Sequence, residues 1–419
     1  MLLKLKTALA VAAVMTAAAG LAGNAAAQSG EPIKIGYSMA MTGGLAPNGK
    51  SALLAHKIWE EDVNAKGGLL GRPVKLVYYD DQSNPSTVPG IYTKLLDVDK
   101  VNLVIGAYAT AMIAPAMPVV MQKNKVFISL LGLAVNSEFQ YPNYFAMIPS
   151  GPDTKASFTE GFFASALAQN PKPTTVALVA ADQEFSRNAC DGARENADRF
   201  KLKVTYDKTY PPTTTDYAPI VRAIAATNPD IVVVCSYPPD SVGIVKAVNE
   251  IGFKPKQIGG AMVGLQATAL KAQLGPMLNG FVNYDMWLPV EKMQFPGVND
   301  LIKKYQDRAK AEGVDPLGYY MAPWAYSQLQ VLQQAVEGTQ SLDDKKLAAY
   351  MHANTFHTVL GDIKFDKNGE WVQARMLQVQ FHDVKSNDIE QFRTMGTQTV
   401  VSPADYKSGD VIYPYEKAT

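Results

Sequence analysis

The sequence predicts an α/β protein of two doubly wound lobes, and three observations carry that prediction. Apolar, β-branched runs alternate with segments of helical periodicity from Glu31 onward, the pattern of parallel strands paired through crossover helices. The pattern restarts after Pro149-Ser150-Gly151-Pro152, a run of turn formers suited to a passage between lobes. At 419 residues the chain is also too long for one ordinary hydrophobic core and suits two of similar size.

Residues 1–27 begin with Lys4 and Lys6, continue as an Ala-rich apolar run and end Ala25-Ala26-Ala27. A basic head, a short apolar middle and small residues at the end make a secretory signal peptide cleaved near Ala27. Gly20, Gly23 and Asn24 interrupt the run before it could span a bilayer. No cysteine adjoins the site, which argues against a lipid anchor.

Ile33-Lys34-Ile35-Gly36-Tyr37-Ser38-Met39 is the first strand. Ala52, Ala55, Trp59 and Val63 then recur at helical spacing and mark one buried face, which Gly67-Gly68 ends. Strands follow at 74–79, 102–106 and 126–130, with helices at 92–98 and 115–122. Past Pro152, strands at 175–180, 204–206, 231–235 and 258–263 alternate with helices at 187–200 and around Tyr217, Ile220, Val221 and Ile224. Ile231-Val232-Val233-Val234-Cys235 is apolar throughout, as a strand buried on both faces should be. Residues 281–288 suit a crossing strand, and helices are expected at 301–311, 322–336 and 344–352. Residues 361–369 read as a hairpin with Asn368-Gly369 at its turn, continued by 376–382.

Equal numbers of basic and acidic residues, 39 of each, give no electrostatic reason to expect nucleic acid. There is no GxSxG, HExxH or P-loop, and His56, His352, His357 and His382 are scattered rather than spaced as metal ligands. The expectation is a protein without catalysis, metal or cofactor. Cys190 and Cys235 could pair in an oxidising compartment; two buried thiols are the preferred expectation.

Several segments together resemble one family. The opening 35–43, the turn Asp62-Val63-Asn64-Ala65-Lys66-Gly67-Gly68-Leu69-Leu70-Gly71-Arg72-Pro73, the acidic turn 79–85 and the closing 356–369 are similar, in order, to the type I periplasmic binding proteins. The branch they resemble most is the leucine/isoleucine/valine-binding proteins of ABC importers. The glycines of the turn are read as backbone requirements, not ligand contacts. The resemblance implies two Rossmann-like lobes, residues 28–148 with 280–357 and residues 149–279 with 358–419, joined by a three-strand hinge with crossings near Pro149, Gly280 and Leu360, that close over a small solute. It further implies a periplasmic monomer that presents its ligand to a membrane permease. A sensor of the same fold, signalling through a separate partner, is the alternative.

In open α/β sheets ligands lie beyond the carboxyl ends of strands, and the family's contact positions fall there. Ala109 and Thr110 match the small residue and hydroxyl that hold a ligand carboxylate at a helix start; Thr110 could instead merely cap the helix. Leu131 and Leu133 stand where amino-acid binders carry small, hydroxyl-bearing residues, which implies a more apolar pocket, unless both simply pack in the core. Phe185 matches the aromatic over the ligand, or is a core residue. Asp240, after Tyr237, matches the acid that pairs with an α-ammonium, or is an acid favourable at a helix N-terminus. Tyr108 flanks the anion position, and Asn48, Tyr320 and Met321 match wall positions approximately. The expected ligand carries a carboxylate on an apolar body: a branched or aromatic amino acid, or an aromatic or aliphatic acid.

Overall fold

The computed structural model describes residues 29–418, so the expected signal segment lies outside the described residues. The first sheet is built from β1 (Ile33–Met39), β2 (Val74–Asp80), β3 (Leu103–Tyr108), β4 (Phe127–Leu130) and β5 (Tyr144–Ala146). Its pairings are all parallel, in the order β2-β1-β3-β4-β5. Parallel neighbours need crossovers, supplied by α1 (Ala46–Ala65), α2 (Val88–Asp97), α3 (Thr110–Ile113), α4 (Met117–Gln122) and α5 (Val135–Phe139). Ala52, Ala55, Trp59 and Val63 are all buried on α1, the face their spacing predicts.

The second half repeats the plan with α6 (Thr154–Leu167), β6 (Thr175–Ala181), α7 (Glu184–Arg199), β7 (Lys203–Tyr210), α8 (Ala218–Ala225), β8 (Ile231–Ser236), α9 (Pro238–Ile251), β9 (Gln257–Met262), α10 (Thr268–Leu274) and β10 (Val282–Asp285). Next come α11 (Val298–Glu312), α12 (Ala322–Thr339) and α13 (Asp344–Ala353). The chain ends with the pair β11 (Thr355–Thr358) and β12 (Gly361–Lys364), then β13 (Leu377–Phe381) and β14 (Gln398–Ser402). The second sheet runs β14-β13-β10-β9-β8-β6-β7. Its parallel part, β7-β6-β8-β9-β10, has the same winding as the first sheet, and β13 and β14 extend it antiparallel.

The sequence expectations need correction at three places, whereas the expected pair of buried thiols is found. Residues 281–288 are not simply a crossing: Val282–Asp285 pairs with both β9 and β13 inside the second sheet, and the chain leaves only afterwards. The regular hairpin is β11–β12, whereas the Asn368-Gly369 turn is closed by one bridge, Phe365 to Trp371. Gly369 is required there, because its φ is +77° and a Cβ would meet the Tyr144 carbonyl oxygen at 1.8 Å. The return to the second sheet comes later than residue 358. Gly369 O accepts from Ala146 N at 2.8 Å and the Trp371 indole donates to Ala146 O at 3.0 Å, which ties this stretch to the first sheet. Near Arg375 the returning strand meets the outgoing one, its N–H donating to Pro149 O at 2.8 Å. Cys190 and Cys235 are both buried free thiols.

Candidate functional site

Each sheet reverses its winding at a switch point, between β1 and β3 in the first and between β6 and β8 in the second. Residues just beyond the strands at such points are placed to meet a ligand. Between the two halves lies a cavity of about 10 Å³, room for a single water. The first half contributes Tyr108, Ala109, Thr110, Leu131, Ile148 and Tyr320 to its wall. The second contributes Phe158, Phe185, Tyr237, Val263, Tyr284 and Met286.

Ala109 and Thr110 follow β3, and the chain turns into α3 through a positive φ of 78° at Ala109. Leu131, just after β4, is also left-handed (φ 59°). Non-glycine residues adopt such angles uncommonly, and here both turn the chain sharply away from a strand end. Ala109, not Thr110, is the N-cap of α3, and Thr110 is the first residue of that helix. Its Oγ1 accepts from Leu133 N at 3.0 Å, which leaves the hydroxyl proton available to a ligand.

The walls are aromatic and uncharged. Asn48 Nδ2 donates to Tyr108 Oη at 2.9 Å, and the Tyr284 and Tyr320 hydroxyls are 3.2 Å apart. Phe185 meets Phe158 and Tyr237 edge to face, with centroids 5.5 and 5.6 Å apart, an arrangement favoured by the ring quadrupoles. Burial pushes the Tyr108 phenol up to about 12 and raises those of Tyr237, Tyr284 and Tyr320, so all four stay protonated at neutral pH. The Tyr237 hydroxyl is buried without a hydrogen-bond partner.

Seven of the residues expected from sequence thus meet at one cavity: Tyr108, Ala109, Thr110, Leu131, Phe185, Tyr237 and Tyr320. Four stand apart from its wall. Asn48 lies behind Tyr108 and orients it. Met321, buried, precedes α12. Leu133 is fully buried, and its backbone rather than its side chain takes part, through N–H to Thr110 and C=O to Asn188. Asp240 lines an outer pocket of about 460 Å³ instead, because its carboxylate accepts from Tyr210 Oη at 2.7 Å and from Tyr237 N at 3.2 Å. The second bond is the one a helix-start acid would make. Glu184, raised to about 7 by burial, shares that outer pocket. Sequence reasoning missed Ile148, Phe158, Val263, Tyr284 and Met286. Val263 and Met286 directly follow β9 and Asp285 of β10, so the strand-end rule could have found them; Phe158, on α6, reaches the site only through tertiary packing. Among the described residues no cluster of His, Cys, Asp or Glu could hold a metal ion, and no helix is long and apolar enough to cross a membrane.

The family profile described as periplasmic binding protein matches residues 32–385. The chain is 25% identical to the Leu/Ile/Val-binding protein of Escherichia coli (strain K12), over 81% of this chain and 88% of that one. Among solved structures, it is similar to a solute-binding protein of an ABC transporter from R. palustris in complex with benzoate, with a TM-score of 0.71, 18% identity and coverage of 85% and 95% of the two chains. It is also similar to the branched-chain amino acid transporter substrate-binding protein LivJ of Streptococcus pneumoniae in complex with isoleucine, with a TM-score of 0.70, 19% identity and coverage of 89% and 100%.

Proposed function

This chain belongs to the periplasmic binding protein family, with the type I fold of its leucine-, isoleucine- and valine-binding branch, and on that premise we propose that it is the extracytoplasmic receptor of an ABC importer for a small aromatic carboxylic acid. The lobes, divided near Pro149, after Asp285 and beyond Trp371, close over the acid and hand it to a membrane permease. The single observation that carries the ligand class is the composition of the inner cavity: six aromatic rings and no charged side chain.

An aryl acid presents one anionic end and one flat apolar face. A buried carboxylate must be hydrogen-bonded, and the Thr110 hydroxyl and the phenols of the wall are donors. Tyr237 Oη, buried and unpartnered, would gain its bond from the ligand. An α-ammonium, by contrast, needs an acid beside it, and Asp240 is held outside by Tyr210 and the Tyr237 amide. The benzoate complex of the R. palustris relative supports the same reading. A cavity of about 10 Å³ is far below the size of a solute site, so capture requires the lobes to part and the rings to re-seat.

The test is a thermal-shift screen of the mature protein. Benzoate and 4-hydroxybenzoate should raise the melting temperature with concentration, since a ligand that binds only the folded state stabilises it. Leucine, isoleucine and phenylalanine should do so much less. A larger shift with the amino acids would return the site to amino-acid binding and Asp240 to the ammonium.

A further inference from the structure

We propose that Asn188 is a positioning residue for solute capture, a latch on the second lobe that grips the backbone of Leu133 and through it sets the Thr110 hydroxyl. Asn188 lies on the buried face of α7, the second-lobe helix that begins at the cleft. Its Nδ2 donates across the lobe boundary to Leu133 O at 3.1 Å. The N–H of the same residue donates to Thr110 Oγ1 at 3.0 Å. One residue therefore joins the closing lobe to the hydroxyl assigned to the ligand carboxylate.

The loop between them is built to transmit this. Leu131 and Ala134, on either side of Gly132-Leu133, are both left-handed, at φ 59° and 57°. A Cβ on Gly132 would meet Ile113 Cδ1 of α3 at 2.9 Å, so the loop is pressed against the helix that Thr110 begins. By accepting from Leu133 N, Thr110 is directed to give its own proton elsewhere.

The energetics are one-sided. In an open protein water can satisfy both the Leu133 carbonyl and the Asn188 amide. In the closed one, losing the donor leaves a buried carbonyl unpaired, which is the expensive half of a hydrogen-bond deletion. Removing the latch therefore penalises the closed state alone, and a ligand bound there loses affinity without losing a contact.

The proposal rests on the aryl-acid reading only for its probe. Benzoate binding to the mature protein would be followed by stopped flow, and the ligand-free radius of gyration by X-ray scattering, for wild type, Asn188→Ala and Asn188→Asp. The Asp variant keeps the size of the side chain but turns lone pairs toward the carbonyl; a general loss of stability would not be confined to koff and the ligand-free radius, whereas loss of a latch would. Expected are a rise in Kd of about 10-fold for Asn188→Ala and at least as much for Asn188→Asp, carried by koff with kon nearly unchanged, and a larger ligand-free radius for Asn188→Asp. An Asn188→Asp protein that matches wild type in koff and radius overturns the latch. If wild type takes no benzoate, the ligand class fails, and the ligand-free radius alone decides the latch, a larger one supporting it and an equal one overturning it.

Discussion

Tyr237 and Asp240 stand three residues apart and both border the outer pocket, but only Tyr237 also lines the inner cavity, and the proposed ligand class rests on that difference. Tyr237 leaves β8 and lines the inner cavity, whereas Asp240 is one turn into α9, bonded to Tyr210 and to the helix-start amide. Sequence position alone made both candidates for one site. What it could not supply was the Tyr210 hydroxyl, which arrives from β7, thirty residues earlier. Leu133 shows the same limit: its place in the chain made it a wall candidate, but its side chain is not part of the cavity wall and its backbone makes the bonds to Thr110 and Asn188. Glu370 escaped notice altogether, because nothing in Asn368-Gly369-Glu370 announces a buried acid. It is 3% exposed, and neither carboxylate oxygen has a hydrogen-bond partner. Burial, aided by the nearby Asp366, raises it from 4.5 to about 8. Between those two values the folded protein holds a proton that the unfolded chain has released, so this residue makes stability fall as pH rises through that window. Glu370→Gln should match wild type near pH 4.5 and exceed it by more than about 1 kcal/mol at pH 8, as measured by urea unfolding at the two pH values. Equal stability at both would show that the carboxyl is not held protonated.

At the scale of elements, the buried parallel strands were the most legible, since β3 and β8 are apolar and fully buried along their length. β7 was read as only three residues. It is an edge strand with Lys203, Asp207 and Lys208 exposed, and edge strands that carry charge against aggregation lose their hydrophobic signature. β14 was not anticipated, because its partner, β13, belongs to a sheet whose other strands, β6 to β10, all lie far earlier in the chain. Helix α12 illustrates a tie that no periodicity reveals. Its Gln328 is fully buried and donates to Gly106 O at 3.0 Å and Ile128 O at 2.7 Å, while its Oε1 lies 3.0 Å from His56 Nε2 of α1. One side chain thus joins two helices to β3 and β4, and burial lowers His56 to about 4, keeping it neutral. Gln328→Leu should destabilise the protein by roughly 2–4 kcal/mol, because two strand carbonyls and a histidine lose their partner. A change below about 0.5 kcal/mol in chemical unfolding would mean that water or a neighbour replaces the amide.

At the scale of the whole molecule, the repeated winding was visible in the alternation of strand and helix, and the passage at Pro149 was visible in its turn residues. The return crossing was misplaced because Phe365, Gly369 and Trp371 are held on the first sheet by contacts with Phe145 and Ala146, which lie far away in sequence. The cavity follows from two such sheets meeting at their strand ends, and its chemistry follows from the side chains there together with Phe158 of α6 and Tyr320 before α12: phenols, rings, one threonine, small aliphatic groups and no charge. Calorimetric titration of the mature protein with benzoate and leucine at several temperatures tests this most directly. The account predicts one benzoate per chain, bound more tightly than leucine, with the negative heat-capacity change of apolar surface leaving water. Leucine binding more tightly than benzoate, or no benzoate binding at all, would contradict it.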